Sequence, residues 1–280
     1  MTVDNLIYHY CSSETFLSLI KNNELWLAEV TKTNDSTEGQ FYIDFVKRYV
    51  KDKFGKASWF PKEEELDFKE FYEFSKRIWV CCFSEDGNFL SQWRGYADDG
   101  KGFSVGFDKT VLDKFTGSFK NEKLIKHEWS RPLSLKKILY TEKERIDGLQ
   151  SILMWLKMTK KKDSVFFYEF KQFMTIMAFM FKNESFKEEC ERRIICCMEK
   201  EEYNGIENFL HESHFKTRKL HFRQTSKGIV HYLKMKIPEN AIKKVMLGPK
   251  NFSDIDDIEL LLSENGFVDI KVEKTIIPYC

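Results

Sequence analysis

The sequence has little of the proline and glycine that mark linkers and repeats. Proline occurs 5 times and glycine 13 times in 280 residues, and no Pro/Gly linker, internal repeat or low-complexity tract divides the chain. Hydrophobic residues make up 42% and aromatic residues 15%, with 26 Phe, so the chain can bury a sizeable core and disorder is not expected. We therefore expect a single domain over residues 1–280.

An excess of one charge sign and a long apolar run are also lacking. Lys and Arg number 45 against 44 Asp and Glu, so there is no overall attraction to nucleic acid or to a membrane, although a local patch is left open. No apolar run reaches the roughly 18 residues of a membrane span. The first residues, MTVDNLIYHYCSS, have no signal-peptide pattern. These features predict a cytoplasmic protein with no membrane partner.

Cysteine and nucleotide motifs are missing as well. None of the seven cysteines has CxxC spacing, and the adjacent pairs at 81–82 and 196–197 lie in apolar runs typical of buried strands. Reduced core thiols in the cytosol are therefore expected. Because HExxH, DxDxDG, GxGxxG, Walker and GxSxG motifs are absent, we expect no metal site and no Rossmann dehydrogenase, P-loop enzyme or serine hydrolase.

The apolar periodicity predicts an α+β chain with strands towards both ends and helices between them. The opening residues favour a strand, a helix capped by Ser12 or Ser13, and a second strand. RIWVCCFS and ERRIICCM predict buried strands, and LKKILYTE predicts another. Helices are predicted over FYIDFVKRYVKDKF and residues 63–76, and a predominantly helical insertion over residues 142–182. In the last third, three further strands are predicted after ERRIICCM, followed by the helix DIDDIELLLSENG and a closing strand.

Two glutamates at the start of the strand ERRIICC are candidate catalytic groups. Glu189 and Glu191 are two residues apart, so on an extended backbone they share one face. Coupled carboxylates suit acid–base catalysis or the stabilisation of a developing cation. The alternative is a solvated cluster in which they pair with Arg192 and Arg193.

A histidine and a polar turn are further candidates. His9 lies in the first predicted strand on the same face as Cys11, either as a hydrogen-bonded core group or as a binding residue. The turn TKTNDSTEG either binds a hydroxyl group or a metal, or caps the following helix. Its candidate side chains are Asn34, Asp35 and Glu38.

Short motifs in a fixed order extend over most of the chain. They are Tyr8-His9-Tyr10 with Ser12, ELWL, Asn34-Asp35 with Glu38, Cys82-Phe83-Ser84, Trp93 with Tyr96, Lys101-Gly102, Phe181-Lys182, Phe186-x-x-Glu189-x-Glu191-x-Arg193, Arg223, Gly228 and the strand from Ile242 to Gly248. On these motifs the chain resembles the bacterial family catalogued as domain of unknown function 2971. It departs from that pattern at Ser36, usually Pro, and at Phe186, often Trp, and neither change removes a titratable group.

The order of these motifs also resembles the ADP-ribosyltransferase fold, which implies a split mixed β-sheet core and NAD as co-substrate. In that resemblance, Glu191 is the catalytic carboxylate and Glu189 its partner on the acceptor side, although which is the principal one is left open. The implied NAD-binding residues are His9, Ser84, Trp93, Tyr96 and Arg193, with an aromatic ring stacked on nicotinamide. Further implied substrate contacts are Asn34, Asp35, Glu38 and Arg223.

Three functions fit these residues. The first is an ADP-ribosyltransferase that acts as an intracellular toxin or antiphage effector on RNA or DNA, with a cognate antitoxin or another defence protein as partner. The second is a metal-assisted nuclease or other hydrolase that uses Asp35, Glu38, Glu189 and Glu191. The third is a non-catalytic binding or sensor module in which the two glutamates only form ion pairs.

The transferase hypothesis makes geometric predictions. His9, Ser84, Tyr96 and Glu191 should converge on one cleft although they are far apart in sequence. Trp93 and Tyr96 should both be partly exposed there, because a stacking ring needs one free face. The variant Glu191→Gln should lose activity with almost no change in stability.

Overall fold

A computed structural model describes residues 5–32, 39–54, 73, 76–119, 133–158, 170, 173–198, 206, 210, 212–225 and 228–279. In this part of the chain the protein is mixed α+β, with an open ten-stranded sheet. All strand pairs are antiparallel except β9 with β10. None of the helices described there is long and apolar enough to cross a membrane.

The elements follow one another as the chain runs. The strands are β1 (Leu6–Cys11), β2 (Glu24–Glu29), β3 (Ile78–Ser84), β4 (Phe103–Asp108), β5 (Leu133–Lys137), β6 (Glu191–Cys197), β7 (His221–Thr225), β8 (Gly228–Lys236), β9 (Ile242–Leu247) and β10 (Lys271–Lys274). The α-helices are α1 (Ser13–Asn22), α2 (Gln40–Phe54), α3 (Leu90–Tyr96), α4 (Lys109–Gly117), α5 (Glu142–Met158) and α6 (Ile255–Glu264). There are 3₁₀ helices at Val30–Lys32, Asp98–Gly100 and Glu184–Glu189.

Most of the predicted elements are present. The α+β class and the opening β1–α1–β2 unit are confirmed, and the Ser12 side chain caps α1 by accepting a hydrogen bond from the Thr15 N–H. The strand predicted at LKKILYTE lies earlier, because β5 pairs with β6 over Leu133 to Lys137. Most of the helix predicted at 63–76 lies outside the described residues. The single domain and its helical insertion stay predictions.

Strand β3 forms a fork in the sheet. Along one edge it pairs with β6 from Ile78 to Ser84. Along the other edge it pairs first with β2, at Trp79 and Val80, and then with β1, at Ser84. Between Val80 and Ser84 that edge has no partner among the described strands, so β1 and β2 diverge there. The sheet continues from β1 through β4, β9 and β10, and from β2 through β8 and β7.

Two apolar layers hold the fork in place. Helix α1 buries Phe16, Leu19 and Ile20, which its 3.6-residue period places on one face, against strand side chains that include Trp79. Burial of each such large side chain stabilises the fold by about 1.5–3 kcal/mol. A second cluster joins α2 to α5, and in it the Tyr42 ring stacks on Phe181 at 4.7 Å between centroids. Because Phe181 is anchored there, the following lysine is held close to the fork.

Candidate functional site

A cavity of about 280 Å³ opens at the fork of the sheet. It brings together side chains from β1, β3, α3, the 3₁₀ helix Glu184–Glu189, β6 and β7. Among the lining residues are seven that the sequence selects: His9, Ser84, Tyr96, Glu189, Glu191, Arg193 and Arg223. The convergence predicted for His9, Ser84, Tyr96 and Glu191 is therefore present in the structure.

The predicted exposure of Trp93 is wrong. Its side chain is 0% exposed, whereas Tyr96 is 38% exposed. The Trp93 ring packs edge-on against Tyr10 at 5.0 Å, and its Nε1–H donates to Asn88 Oδ1 at 3.1 Å. Helix α3 directs Trp93 into the small core beneath β1, so Tyr96 is the α3 aromatic that lines the cavity.

The turn residues Asn34, Asp35 and Glu38 lie outside the described residues. Their roles stay predictions. Among the residues that are described, no group of three or more His, Cys, Asp or Glu side chains could hold a metal ion. Of the four carboxylates considered for a metal-assisted hydrolase, Glu189 and Glu191 line the cavity, and Asp35 and Glu38 lie outside the described residues.

The sequence predicts that the two glutamates share one face of an extended strand, and this prediction is wrong. Glu189 ends a 3₁₀ helix, Cys190 has a left-handed backbone with φ 43°, and Glu191 begins β6. Lys182 nevertheless holds the two side chains together, because its Nζ lies 2.7 Å from an Oε2 atom of each. A lysine between them, rather than strand periodicity, brings the carboxylates close.

Glu191 is a buried and fully paired carboxylate. Arg193, two residues along β6, contacts it through Nε at 2.5 Å and Nη2 at 3.1 Å, and Lys182 also binds it. Burial alone would raise the pKa of Glu191, but Arg193 and then Lys182 outweigh burial and hold this pKa at about 2. Glu191 is therefore ionised at neutral pH.

Glu189 is held at the mouth of the cavity by two elements. The Tyr96 hydroxyl donates to its Oε1 at 3.0 Å, and the Ser84 hydroxyl donates to its backbone carbonyl at 2.8 Å. Ser84 also accepts a hydrogen bond from the Asp86 N–H at 3.1 Å. The Ser84 hydroxyl thus fixes the backbone that carries Glu189. We call Lys182, Glu189, Glu191 and Arg193 the carboxylate end of the cavity.

The side chain of His9, in β1, reaches the backbone of β3 across the fork. Its Nδ1 lies 2.9 Å from the carbonyl of Cys82, in the part of β3 that lacks a described strand partner on this edge. A carbonyl can only accept, so Nδ1 carries the proton and Nε2 is left as an acceptor. Burial lowers the pKa of His9, and the charge of Arg223 lowers it further. The imidazole is therefore neutral at neutral pH.

Arg223, Lys32 and Trp26 also line the cavity, and we call these three residues the cation end. The Arg223 guanidinium lies 5.2 Å from the Trp26 ring centroid and 5.8 Å from that of Tyr232. Its Nε is buried and has no hydrogen-bond partner within the described structure. Burial lowers the pKa of Arg223. Neither Arg223 nor Lys32 forms an ion pair with a described residue.

Sequence reasoning did not select Lys182, Lys32 or Trp26 as site residues. Lys182 was visible only as part of the Phe181-Lys182 motif, without a spacing rule that links it to the glutamates. It reaches them because the chain at Phe181 forms an isolated bridge with Leu139 beside β6. Trp26 is a half-buried residue between two buried residues of β2, and this pattern is ordinary for a strand and does not mark a site.

One comparison with known proteins gives a match. The model of the family described as "Protein of unknown function (DUF2971)" matches residues 92–194. That segment runs from within α3 to within β6 and contains Tyr96 and the whole carboxylate end. No curated protein and no solved structure matches the chain. The family resemblance is thus confirmed over the matched segment, and it carries no activity with it.

Proposed function

We propose that this protein is an NAD-dependent ADP-ribosyltransferase that acts as an intracellular toxin or antiphage effector and modifies RNA or DNA. The observation that carries the proposal is that His9, Ser84, Tyr96 and Glu191, from four different elements, line one cavity. The fork between β1 and β2 supports the split sheet of an ADP-ribosyltransferase-like core. We further propose a cognate antitoxin or another defence protein as a partner.

The cavity has side chains that suit NAD as a substrate. Neutral His9 offers Nε2 as an acceptor for a ribose hydroxyl. The half-exposed ring of Tyr96 offers a face for nicotinamide. At the cation end, the half-buried guanidinium of Arg223 offers N–H donors to a phosphate oxygen. These side chains therefore suit a ribose, the nicotinamide and the diphosphate of NAD.

The reaction needs a negative charge close to the ribose. Transfer breaks the bond from ribose C1′ to the nicotinamide nitrogen, and the nicotinamide leaves with the electron pair. Glu191 is ionised and buried, so it can stabilise the positive charge that develops on the ribose. An acceptor oxygen or nitrogen then bonds to C1′ and releases a proton, which Glu189 accepts at the mouth of the cavity.

A second candidate function has an observation of its own. Both oxygens of Glu191 bind cations, and Lys182 contacts both glutamates. A non-catalytic binding or sensor module, in which the glutamates serve only in ion pairs, would have this arrangement. The same pairs also keep Glu191 ionised, which the transferase requires. Only a measurement of NAD consumption separates the two functions.

The test incubates the purified protein with NAD labelled on nicotinamide or on adenylate, together with RNA, DNA and mixed proteins. We expect nicotinamide release and transfer of the adenylate label to nucleic acid. Tyr96→Ala removes the half-exposed ring and should lower NAD consumption at subsaturating NAD by tenfold or more, because stacking of a base on an aromatic ring contributes roughly 1–3 kcal/mol. Phe252→Ala, at a 96% exposed aromatic outside the cavity, is the matched control.

Glu191→Gln should reduce turnover by roughly a hundredfold or more, because preorganised charge stabilisation is removed. Its folded fraction is measured first, since Glu191 is buried in ion pairs. Tyr96→Ala keeps the test decisive if Glu191→Gln does not fold. If labelled NAD is never consumed with any acceptor, the transferase proposal fails and the binding module is favoured.

A further inference from the structure

The near-zero net charge of the chain conceals a strongly basic segment. Residues 213–238 contain seven Lys and Arg residues and no Asp or Glu. These cations are Lys216, Arg218, Lys219, Arg223, Lys227, Lys234 and Lys236. All except Lys227 lie in the described structure, on β7, β8 and the chain before β7. In the described sheet, β8 pairs with β2, and β7 is the last strand on that side.

The strand registers place several of these cations on the cavity side. Arg223 of β7 lies opposite Val230 of β8, so the even-numbered residues of β8 share its face. Lys234 lies opposite Trp26 of β2, and Lys236 lies opposite Glu24. Because Arg223 and Trp26 line the cavity, this face continues directly from the cation end. We call it the basic face; it carries Trp26, Arg223, Tyr232, Lys234 and Lys236.

Several of these lysines form no ion pair within the described structure. Lys216 and Lys219 are exposed and Lys236 is half-buried, and none of the three forms an ion pair with a described residue. By contrast, Lys234 lies 2.9 Å from Glu24, and Arg218 lies 3.4 Å from Glu212. The basic face and the chain beside it therefore present positive charge to an external partner.

Aromatic rings lie among these cations. The Trp26 and Tyr232 rings are 4.7 Å apart between centroids, and Arg223 lies over both. Trp26 is half-buried, so part of its ring is open. Lysine and arginine beside an accessible aromatic ring is the combination that binds single-stranded nucleic acid, through phosphates and base stacking. An acidic peptide would use the charges but not the ring.

We infer that the basic face, which adjoins the cation end of the cavity, binds a single strand of RNA or DNA. The inference deepens the proposed function, because it names the acceptor surface, and it depends on that function only for the chemistry. Strand binding itself requires neither NAD nor an intact carboxylate end. The two ideas can therefore fail separately.

The experiment measures fluorescence anisotropy of a labelled oligo-U or oligo-dT strand with the full-length protein, without NAD, over a series of salt concentrations. The test variant is K216Q/K219Q/K236Q. The control variant is K53Q/K101Q/K243Q, which also removes three charges, at exposed lysines outside the cavity and the basic face. Both variants are first checked for folding by circular dichroism.

We expect the test variant to bind at least tenfold more weakly and the control to bind like the parent. The slope of log affinity against log salt should fall by about 0.7 for each phosphate that no longer pairs with a lysine. Equal binding by the two triple variants, or no binding by the parent at low salt, overturns the inference. So does a poly-glutamate peptide that binds as tightly as the strand, because it indicates an acidic protein partner. Absence of NAD consumption overturns the proposed function and leaves the binding result standing.

Discussion

The two ends of the cavity balance their charges in opposite ways. At the carboxylate end, Glu189 and Glu191 are matched by Lys182 and Arg193 at distances of 2.5–3.1 Å. At the cation end, Arg223 and Lys32 have no ion-pair partner within the described structure, and Arg223 rests on aromatic rings instead. The charges of one end are therefore paired within the protein, whereas those of the other end are available to an anionic ligand under the proposed function.

This difference separates two uses of buried charge. A matched ion pair costs desolvation energy, and removal of one partner leaves an uncompensated charge in the interior. An arginine without an ion-pair partner is still stabilised by a cation–π contact with an aromatic ring. Its N–H groups can donate hydrogen bonds to an anion. Changes at the carboxylate end should thus affect folding and catalysis together, whereas changes at the cation end should affect binding alone.

The largest expected effect compares the same substitution at both ends. Arg193→Met removes the main partner of Glu191 from a site where the arginine is 1% exposed, and should lower the free energy of unfolding by about 3–5 kcal/mol. Arg223→Met should lower it by less than about 1 kcal/mol, because no described ion pair is broken. Urea denaturation followed by circular dichroism measures both values.

Arg192→Met supplies the matched control for this pair. Arg192 neighbours Arg193 in β6 but binds Glu85 at a partly exposed position, at 2.7 Å. An ion pair of that kind contributes about 0–1 kcal/mol. Equal free energies of unfolding for Arg193→Met and Arg192→Met would contradict the prediction, because Arg193 would then not be compensating a buried charge.

A somewhat smaller effect is expected in acid. The folded pKa of Glu191, about 2, lies below its ordinary value of 4.5. Its ionised form therefore contributes stability above about pH 4.5, and that stability is lost as the pH falls towards 2. The contribution is on the order of 3 kcal/mol at neutral pH. In Glu191→Gln, the part of the acid dependence that belongs to this group should disappear.

Denaturation midpoints between pH 2 and 7 check this prediction. Glu184→Gln, at an exposed carboxylate in the preceding 3₁₀ helix, is the control. The structure also revises the sequence-based expectation that Glu191→Gln leaves stability unchanged, because the substitution removes a carboxylate from two ion pairs. An acid profile that is the same in both variants would contradict the assigned pairing.

At the cation end the expected effect is on affinity. Arg223→Met should raise KM for NAD about tenfold with a smaller change in kcat, because a hydrogen bond to a charged group contributes about 1.5–3 kcal/mol. Nicotinamide release without an acceptor gives both constants. Lys243→Met, at an exposed cation on β9, should behave like the parent. An unchanged KM in Arg223→Met would mean that this arginine does not contact the substrate.

The sequence predicted most of the elements that surround the cavity. Alternating and continuous apolar runs identify β1, β3 and β6, because their buried side chains follow strand periodicity. The fork itself has no local signal. It arises because β2 and β1 pair with different parts of one edge of β3, and the sequence of β3 is apolar throughout. Pairing of distant strands depends on packing that a single sequence does not encode locally.

The site was predictable to a similar degree. Residue types with obvious chemistry, such as His9 and Glu191, were selected from strand context and family motifs, and the structure brings them together. Burial distinguishes the two aromatic residues of α3, because Trp93 is 0% exposed in the core beneath β1, whereas Tyr96, the last residue of the helix, is 38% exposed. Lys182 was missed because a lysine in a helical segment is usually exposed, whereas here the bridge at Phe181 and the ion pairs with Glu189 and Glu191 hold it inside.

The smallest expected effect concerns the hydroxyl of Tyr96, which joins α3 to the carboxylate end. Tyr96→Phe keeps the ring and removes the hydrogen bond to Glu189, a change of about 0.5–1.5 kcal/mol in stability. If the ring contacts nicotinamide, NAD affinity should stay within about threefold of the parent, in contrast to the decrease expected for Tyr96→Ala. Glu189 would then be less restrained, so label transfer to nucleic acid should fall more than nicotinamide release does. Measurement of label transfer and nicotinamide release in one reaction tests this. An equal decrease of NAD affinity in Tyr96→Phe and Tyr96→Ala would show that the substrate contacts the hydroxyl rather than the ring.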